Sequence, residues 1–463
     1  MKRGSAGRGA GASRAPGRRG RRPSLLLRRG TVKYWVASGG VPGARRAAVA
    51  GGRGKGGLAP APVNPHSGPM FEYQQHRRYF AQCARGLESL LADELRELGA
   101  EPENPGHHGV GFLADAATVY RVAYGSRLAA RVLAPLITFD CHSDRYLYTT
   151  ARKLDWNALL SPATTFAVDA TVSQSKIDHS QFAAQRLKDA IVDHFRETAG
   201  DRPSVDRRTP QLQLNLHLRN DRAVISIDIG GGALHRRGYR VAGGDAPLQE
   251  TLAAAIVRLS GWNGEDKLHD PMCGSGTLLA EAWLAGSRIP PGWLRAEPTP
   301  PWAVLPDFDA RIWADVKGEA KARSRRLPGG LVTGGDLDPA AVANARANLD
   351  RLPAGVAIRV RTADARELAL PPGATVLTNP PYGVRIGRQH EVDLLYKALG
   401  DALKRNCPGT TAWILCGDNS LVGKLGLRPT RRIPLWNGGI ECRLVRLDLF
   451  AGARPRGSAP EAT

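Results

Sequence analysis

A glycine turn between a strand and a helix is the feature that most constrains the fold. In residues 270–276, here called the glycine turn, Gly274 and Gly276 follow a strand end and precede an apolar helical segment. The two glycines allow the backbone to approach a ligand closely, and the N–H groups at the start of the helix point to the same place. Nicotinamide dehydrogenases use a related turn with a third glycine, a position that Leu279 occupies here. The turn alone therefore predicts an α/β ligand site without identifying the ligand.

Acidic residues stand at the ends of the next two predicted strands. Asp336 and Asp338 end one apolar segment, and Asp364 ends the following one. An acid after the second strand suits the two hydroxyls of a ribose, and an acid after the third suits an adenine amine. Asp338 competes with Asp336 for the ribose, although Pro339 after it is typical of a helix start. The alternative for both acids is N-capping of the helix predicted at 340–349.

The tetrapeptide Asn379, Pro380, Pro381 and Tyr382, here called the NPPY loop, follows the apolar run 374–378 and indicates amine chemistry. The Asn379 side-chain oxygen and the carbonyl before the second proline can both accept hydrogen bonds from one exocyclic NH₂ group. They would pull the nitrogen lone pair out of conjugation with the ring and toward an electrophile. The prolines stiffen the loop and donate no N–H, and Tyr382 can stack on the ring. The alternative is an ordinary proline-rich turn.

The glycine turn, the acids at two strand ends and the NPPY loop, in this order, resemble the class I S-adenosylmethionine-dependent methyltransferases. The resemblance implies S-adenosylmethionine as the cofactor, with Asp336 at its ribose and Asp364 at its adenine. Asp270, Gly274 and Gly276 would flank its methionine part. The predicted cofactor-binding residues are Asp270, Met272, Gly274, Gly276, Thr277, Asp336 and Asp364. The predicted catalytic residues, which would hold the target base, are Asn379, Pro380, Pro381 and Tyr382.

The region before the glycine turn mixes strands and helices. A leucine stripe within residues 85–99 predicts one amphipathic helix that ends at Gly99. Strands are predicted at 109–112, 165–172, 211–218 and 222–229, of which 165–172 and 211–218 show alternating apolar residues. Two further helices are predicted at 116–124 and 181–198. This mixture is typical of an α+β domain rather than of a continuation of the catalytic sheet.

This region, here called the front module (residues 76–230), resembles the ferredoxin-like plus THUMP module of RNA-modifying enzymes. The matching segments are 80–88, 188–193 and 205–206, together with 234–240 in the linker that follows the module. With residues 250–256 and an unusual insertion that ends at 308–313, the resemblance covers about residues 78–450. It is to the bacterial 23S rRNA guanine-N2 methyltransferases that form the first half of the K/L fusion enzymes. This implies 23S ribosomal RNA as the partner and N2-methylguanine as the product. The second half of those fusions is missing, so we expect its activity to be absent.

The predicted architecture is a doubly wound α/β catalytic domain of the Rossmann-like class I methyltransferase type, preceded by an α+β ferredoxin-like and THUMP RNA-binding module. The predicted domains are a disordered basic extension (1–75), a ferredoxin-like part (76–116), a THUMP RNA-binding domain (117–230), a basic linker (231–248), the methyltransferase domain (249–451) and a disordered tail (452–463).

Most of the excess positive charge lies at the N-terminus. Residues 1–69 contain 15 of the 65 Lys and Arg residues and no Asp or Glu, which leaves +7 of the formal +22 for the rest. Their Gly, Ala and Arg composition predicts disorder. Three interpretations fit this arm: a translated upstream region with Met70 as the true start, an RNA-attracting tail, or an Arg-rich transit peptide. We favour the first.

A basic strip follows the front module. Its residues His235, Arg236, Arg237 and Arg240 can meet phosphates, and Tyr239 can stack on a base, so we predict that these five residues bind RNA. The alternative is an exposed basic linker between two domains.

The insertion, residues 286–326, lengthens the chain between the glycine turn and Asp336. It is rich in Pro and Trp in its first part and has helical character over 308–326. We interpret it as a surface embellishment that covers the catalytic sheet; the alternative places it over the target base or the RNA.

The six cysteines form no C-x-x-C pair and have no metal-ligand spacing with histidine, so we expect free thiols in a reducing compartment and no metal. His107 and His108 lie in a Gly-flanked loop, and we interpret them as solvent-exposed. The chain contains no apolar run of around 20 residues, so we expect a cytoplasmic protein that does not cross a membrane.

Two other functions fit parts of the pattern. An NPPY loop also suits N6-methylation of adenine in DNA, since both exocyclic amines require a flipped or unstacked base. A non-catalytic ribosome-assembly factor could keep the RNA grip and lose the cofactor. The front module favours RNA over DNA, and the intact glycine turn and NPPY loop favour an enzyme.

Overall fold

The computed structural model describes residues 71–243, 248–382 and 389–450. The predicted disorder of residues 1–70 and of the tail therefore lies outside the described residues. The prediction for residues 71–75 is wrong, because helix α1 (Glu72–His76) starts there and Tyr73 is buried. The Tyr73 hydroxyl donates a hydrogen bond of 2.8 Å to Asp307, so this short segment is anchored to the body of the protein.

The front module is one eight-stranded sheet with helices packed on it. Its elements are β1 (Arg78–Gln82), α2 (Glu88–Glu97), β2 (Glu101–Pro102), β3 (Gly109–Leu113), α3 (Ala116–Gly125), β4 (Arg131–Asp140), α4 (Asp144–Ala151), β5 (Thr165–Ser173), α5 (Ser180–Ala199), β6 (Ser204–Val205), β7 (Leu212–Arg219) and β8 (Arg222–Asp228). The strand order is β2-β3-β1-β4-β8-β7-β5-β6. The predicted helices and strands of this region are confirmed, whereas sequence patterns did not predict β4.

Strand β4 joins the two halves of the front module. Residues Arg131 to Leu133 pair with β1, and residues Leu133 to Asp140 pair with β8, with an irregularity between Pro135 and Ile137. The predicted boundary at residues 116 and 117 therefore does not interrupt the sheet. An ion pair also crosses this sheet, because the Arg131 guanidinium lies 2.6 Å from the carboxylate of Asp169 on β5, three strands away.

The catalytic domain contains a second, mostly parallel sheet. Its elements are α6 (Glu250–Ser260), β9 (Leu268–Asp270), α7 (Thr277–Gly286), α8 (Ala310–Arg323), β10 (Val332–Asp336), α9 (Pro339–Leu349), β11 (Arg359–Thr362), β12 (Thr375–Thr378), α10 (Gln389–Asn406), β13 (Thr411–Cys416), α11 (Asn419–Lys424), β14 (Arg431–Asn437) and β15 (Ile440–Asp448). The order is β11-β10-β9-β12-β13-β15-β14, in which β15 is antiparallel to both of its neighbours. The order reverses between β9 and β12, and α/β sheets bind ligands at the carboxyl ends of strands at such a point.

The insertion packs between the two domains. Trp302 is fully buried, and its ring lies 4.8 Å from that of Trp313 on α8 and 6.1 Å from that of Tyr124 on α3. The N–H of Gly292 donates to the Tyr124 carbonyl at 3.0 Å. The interpretation as a surface embellishment is therefore wrong for these tryptophans, because front-module residues cover them. The helical character predicted over 308–326 is confirmed by α8, which the Asp309 side chain caps.

A buried charge network also joins the domains. Glu281 on α7 is 0 % exposed and accepts hydrogen bonds from Arg237 at 3.4 Å and from the Tyr239 hydroxyl at 3.1 Å. Arg237 also donates to the main-chain carbonyl of Arg127, and Arg127 donates to the carbonyls of Leu284 and Ile289 at 2.9 and 2.8 Å. Burial raises the pKa of Glu281, although the two arginines lower it. The linker, the helix after the glycine turn and the front module therefore share one interior.

The six cysteines are free and buried, as predicted from their spacing. No helix in the described part of the chain is long and apolar enough to span a membrane.

We expect Trp302→Ala to destabilise both domains together. Removal of a fully buried indole costs about 3–5 kcal/mol of unfolding free energy, and its ring neighbours belong to both domains. Thermal unfolding should show one transition that moves to lower temperature. Val356→Ala, at a site 78 % exposed, is the control and should leave the midpoint unchanged. Two separate transitions, of which only one moves, would contradict the shared interior.

Candidate active site

The two glycines of the turn have different structural roles. Gly276 has φ 81°, and a Cβ there would lie 3.2 Å from Ala345 on α9, so the turn packs closely on that helix. Gly274 has φ 51°, and a Cβ there would meet no atom within 4 Å. The turn is anchored by the Cys273 N–H, which donates to the Gly335 carbonyl at 2.9 Å. Gly274 therefore faces open space at the strand ends, where a ligand can approach the backbone.

Asp270 connects the ends of the two strands at the switch point. It is 1 % exposed and accepts hydrogen bonds from the Thr378 hydroxyl at 2.7 Å and from the Met272 N–H at 3.1 Å. Burial raises the pKa of Asp270 to about 7, and the charge of Asp336 adds to this effect. A carboxyl group in this environment is sensitive to any positive charge placed beside the glycine turn.

Asp336 lies at the end of β10 and contacts the glycine turn directly. One carboxylate oxygen accepts from the Gly274 N–H at 2.8 Å, and the other accepts from the Asp338 N–H at 3.0 Å. Asp338 instead caps α9 by accepting from the Ala340 N–H at 2.8 Å. The capping alternative therefore applies to Asp338. Each oxygen of Asp336 retains acceptor capacity, which suits a pair of hydroxyl groups.

Asp364 has an unexpected partner. Arg366 forms a two-pronged ion pair with it, in which Nε lies 2.9 and 2.8 Å from the two carboxylate oxygens. This interaction holds the pKa of Asp364 below its usual range. The carboxylate also accepts from the Arg366 N–H at 2.9 Å. An adenine amine would have to share this acceptor with Arg366.

Asn379 supplies the least satisfied polar atom of the site. Its side-chain oxygen is buried and has no hydrogen-bond partner among the described residues. An acceptor left in this state costs about 1–3 kcal/mol, which a bound donor would recover. Asn379 follows Thr378, so the free oxygen lies beside the strand end that Asp270 holds. A buried acceptor with no partner fits a ligand that brings an N–H donor.

Tyr382 is held on two sides. Its hydroxyl accepts a hydrogen bond of 2.9 Å from Asn437 at the end of β14, and burial raises its pKa, so the ring stays neutral. A Cβ at Gly417 would lie 2.5 Å from the Cβ and Cδ2 of Tyr382, so the ring lies directly on the backbone after β13. In the same loop Pro380 is buried and Pro381 is exposed.

Sequence patterns missed Thr378, Gly417 and Asn437. They approach their partners across 108 residues (Thr378 to Asp270) and 55 residues (Asn437 to Tyr382), and none belongs to a local motif that assigns it to this site. Thr378 ends an apolar strand, which was the available signal. Gly417 and Asn437 become recognisable only when the order of the sheet is known.

The prediction that the strip 235–240 binds RNA is wrong for two of its residues. Arg237 and Tyr239 are each 1 % exposed and are used by the buried network around Glu281, so they cannot reach a phosphate or a base. The alternative of an exposed linker is equally wrong for them. Arg236 is exposed and His235 is half-buried, where burial lowers its pKa, and both remain predicted RNA contacts.

Arg240, which was also predicted to bind RNA, instead contacts the glycine turn and the helices beside it. Its guanidinium donates to the hydroxyls of Ser275 at 3.2 Å and Thr277 at 3.0 Å, and it forms a 2.8 Å ion pair with Glu250 on α6. The Thr277 side chain, which was predicted to bind the cofactor, is therefore also a partner of Arg240. These contacts fix the start of α7 relative to the linker.

The site fits an uncharged or cationic ligand with donor groups better than a metal. Asp336 and the free oxygen of Asn379 are acceptors, and Gly274 leaves room beside them. Within the described ranges, no group of three or more His, Cys, Asp or Glu side chains could hold a metal ion.

We expect Asp270→Asn to flatten the dependence of stability on pH. The folded state binds the proton of Asp270 more tightly than the unfolded state, because its pKa is about 7 instead of 3.8. Unfolding free energy should therefore fall as pH rises from about 4 to about 7 and level off above. Asp228, whose pKa burial raises to about 6, acts in the same direction, so the slope should shrink without vanishing. Urea titrations between pH 4.5 and 8.5 measure this, with the exposed Asp350→Asn as the control; equal slopes in both variants would contradict the burial effect.

Family models match three parts of the chain. A ferredoxin-like domain of the RlmL type matches residues 78–133, a THUMP domain matches 142–228, and an RMKL-like methyltransferase domain matches 237–446. Together they cover the front module and the catalytic domain in the predicted order.

Two curated relatives are each 39 % identical to the chain over the aligned residues. A putative RNA methyltransferase of Synechocystis is 39 % identical over 81 % of this chain and 97 % of its own length. Ribosomal RNA large subunit methyltransferase K/L of Syntrophotalea carbinolica is 39 % identical over 83 % of this chain and 55 % of its own length. The chain thus spans about half the length of the K/L relatives.

Solved structures share the fold, and one of them is a complex with SAH. A putative methyltransferase complexed with SAH has a TM-score of 0.71 and 26 % identity over 82 % of this chain and 99 % of its own. A predicted N6-adenine-specific DNA methylase from Listeria monocytogenes has a TM-score of 0.69 and 27 % identity over 80 % and 96 %. The open glycine turn, the acid at the end of β10, the free Asn379 oxygen and these relatives lead to one conclusion: the chain belongs to the family of RMKL-like methyltransferases with THUMP and ferredoxin-like domains, and its cofactor is S-adenosylmethionine.

Proposed function

We propose that this protein transfers a methyl group from S-adenosylmethionine to the exocyclic N2 amine of a guanine in 23S ribosomal RNA, in the cytoplasm. The observation that carries the proposal is the buried side-chain oxygen of Asn379, which has no partner among the described residues and lies next to the strand end fixed by Asp270. The ribosomal substrate is supported by the THUMP domain and by the names of the K/L relatives.

The residues of the NPPY loop orient the amine. The Asn379 oxygen and the Pro380 carbonyl accept its two N–H groups, so the nitrogen lone pair is drawn out of conjugation with the ring and toward the methyl group. Tyr382 is fixed by Asn437 and Gly417 and limits where the base can lie. The bound cofactor supplies an electrophilic methyl group on a sulfonium. Alignment and proximity then provide most of the rate, and the methylated ammonium loses its proton to water or to a loop carbonyl, so no general base is assigned.

The cofactor would lie along the carboxyl ends of β9 and β10. Gly274 leaves room for its methionine part, Asp336 accepts from the ribose hydroxyls, and Asp364 is the proposed acceptor for the adenine amine. Met272 in the glycine turn and Thr277, which follows the turn as the first residue of α7, complete this set. Burial raises the pKa of Asp270 to about 7. A cationic cofactor bound beside the glycine turn would favour the charged form of this carboxyl group.

Methylation of adenine N6 in DNA is the second candidate, and it is favoured by the similarity to the Listeria protein described as a predicted N6-adenine-specific DNA methylase. Both reactions present an exocyclic amine to the same loop, so the pocket alone does not select between them. The front module, which is joined to the catalytic domain through the insertion and the Glu281 network, provides a surface for RNA shape and backbone recognition and supports the first candidate.

Product analysis should separate these candidates. We expect the full chain to form N2-methylguanine in protein-free 23S rRNA, and much less in 16S rRNA, with mass spectrometry of nucleosides as the measurement. Efficient formation of N6-methyladenine in duplex DNA would replace the proposal by the second candidate. Failure to bind S-adenosylmethionine in a calorimetric titration would instead indicate a non-catalytic factor.

We expect Asn379→Ala and Asp336→Ala to have opposite effects. Loss of the acceptor aimed at the amine should lower single-turnover methyl transfer by roughly 10²-fold or more and leave cofactor affinity nearly unchanged. Loss of Asp336 should chiefly weaken cofactor binding, because its two donors and the ribose lose their acceptor. Calorimetry and rapid-quench rates on both variants measure this difference. Wild-type turnover of Asn379→Ala would exclude its proposed role.

Gly417→Ala should impair methyl transfer without weakening cofactor binding. The added methyl group would lie 2.5 Å from Tyr382, so the ring must move out of its place against β13. Gly423→Ala on α11 is the matched control, since a Cβ there meets no atom within 4 Å. We expect at least a tenfold difference in single-turnover rate between the two variants at saturating cofactor. Equal rates would show that the position of Tyr382 is unimportant for transfer.

A further inference from the structure

A patch of basic and aromatic side chains lies where the front module meets the last hairpin of the catalytic domain. We call it the seam patch; its members are Arg85, His107 and His108 from two front-module loops and Trp436 from β14. The Arg85 guanidinium lies 4.5 Å from the centre of the Trp436 ring. The adjacent Gly86 has φ 83°, and a Cβ there would lie 2.7 Å from the Trp436 ring. The two domains are therefore in close contact at this point.

Arg85 carries an available positive charge. Its side chain is exposed and has no carboxylate partner among the described residues. Stacking on an indole orders the guanidinium without neutralising it or using its five N–H donors. The nearby Glu88 is used in holding the loops, because its two oxygens accept from the Gly86 N–H at 2.7 Å and the His108 N–H at 3.3 Å. An ordered cation of this kind is suited to a phosphate.

Other positive charges act on the same loop. His107 and His108 are exposed, and their rings lie 4.1 Å apart. The pKa of His107 is lowered, first by His108; Arg219 and Arg85 act in the same direction, whereas Glu88 opposes them. The side chains of Arg85 and Arg219 therefore act on this loop as fixed positive charges, and they would attract a phosphate.

The seam patch is adjacent to the proposed base pocket. Trp436 is followed by Asn437, whose amide donates to the Tyr382 hydroxyl at 2.9 Å. The ring under Arg85 and the contact that positions the NPPY loop thus belong to consecutive residues of β14. A nucleotide drawn into that loop carries its neighbours with it, because strand phosphates recur at intervals of only several ångströms.

We propose that the seam patch binds the single RNA strand that flanks the target guanine, with Arg85 pairing with a phosphate. This inference rests on the proposed function. The patch contains residues of both domains, so it exists only when the domains are packed as they are here. Such a contact would position the strand, whereas the NPPY loop would select the amine.

The test compares Arg85→Gln with Arg351→Gln in the full chain. Glutamine keeps a planar amide over Trp436 and removes the charge. Arg351 is an exposed arginine after the C-terminal end of α9, near the edge strand β11, whereas Trp436 lies on β14 at the opposite edge of the catalytic sheet. Binding of a labelled single-stranded 23S rRNA fragment is measured at several salt concentrations, together with cofactor affinity and thermal stability. Binding does not require turnover, so it reports on the patch even if no N2-methylguanine forms.

We expect Arg85→Gln to weaken RNA binding about fivefold or more and to reduce the salt slope by about one, and Arg351→Gln to change neither. Cofactor affinity and thermal stability should be unchanged in both. Arg85→Lys should restore most of the affinity, because it returns the charge. Equal RNA affinity and equal salt slope in the Arg85→Gln and Arg351→Gln variants would overturn the proposal. A fall in thermal stability of Arg85→Gln without loss of RNA affinity would also overturn it, since Arg85 would then only join the domains. If the wild type binds RNA and forms no N2-methylguanine, the proposed function fails while the test of the patch stands.

Discussion

The buried carboxylate of Glu281 is the constraint on which the rest of the structure depends. A charge that is 0 % exposed is costly unless it is paired, and Arg237 and Tyr239 provide the partners. Because Arg237 also binds the main chain of Arg127, the network holds three parts of the chain together: the linker, the helix after the glycine turn, and the front module. Removal of one partner would leave an uncompensated charge in the interior, so these parts are expected to move as a unit. The tryptophan cluster of the insertion adds apolar packing to the same junction.

This junction explains why the site can be both open and well positioned. Gly274 faces free space and the Asn379 oxygen has no partner among the described residues, so both are left for ligands. The groups behind them are satisfied: Asp270 by Thr378 and Met272, and the start of α7 by Arg240. Methyl transfer that depends on alignment requires acceptors that are already in position and are supported by hydrogen-bonded neighbours. Tyr382 is fixed in the same way. Asn437 at the end of β14 donates to its hydroxyl, and its ring lies on Gly417, which follows β13.

The sequence predicted elements well where the pattern is local. The alternating residues of β5 and β7 and the leucine stripe of α2 each follow from a single period, because side chains repeat every two or 3.6 residues. Sequence patterns gave wrong predictions where the tertiary environment determines whether a side chain is buried or exposed. Arg237 and Tyr239 stand in a basic segment that is typical of an exposed RNA-binding strip, and yet they are buried. A guanidinium group can be buried when a carboxylate is there to pair with it, as Glu281 is here. The tryptophans of the insertion were likewise assigned to a surface that the front module covers.

The sequence by itself determined the family chemistry: a glycine turn, acids after strands and the NPPY loop, which are short motifs whose spacing encodes backbone shape and donor or acceptor type. It also distinguished an α+β front from a doubly wound catalytic domain. Only the tertiary structure decided which acid faces the turn, since Asp336 and Asp338 differ by their hydrogen bonds and not by their residue type. It likewise decided that Thr378, Gly417 and Asn437 belong to the site and that Arg85 lies over Trp436. These contacts join residues far apart in the chain, and strand order and burial, which no local period encodes, bring them together.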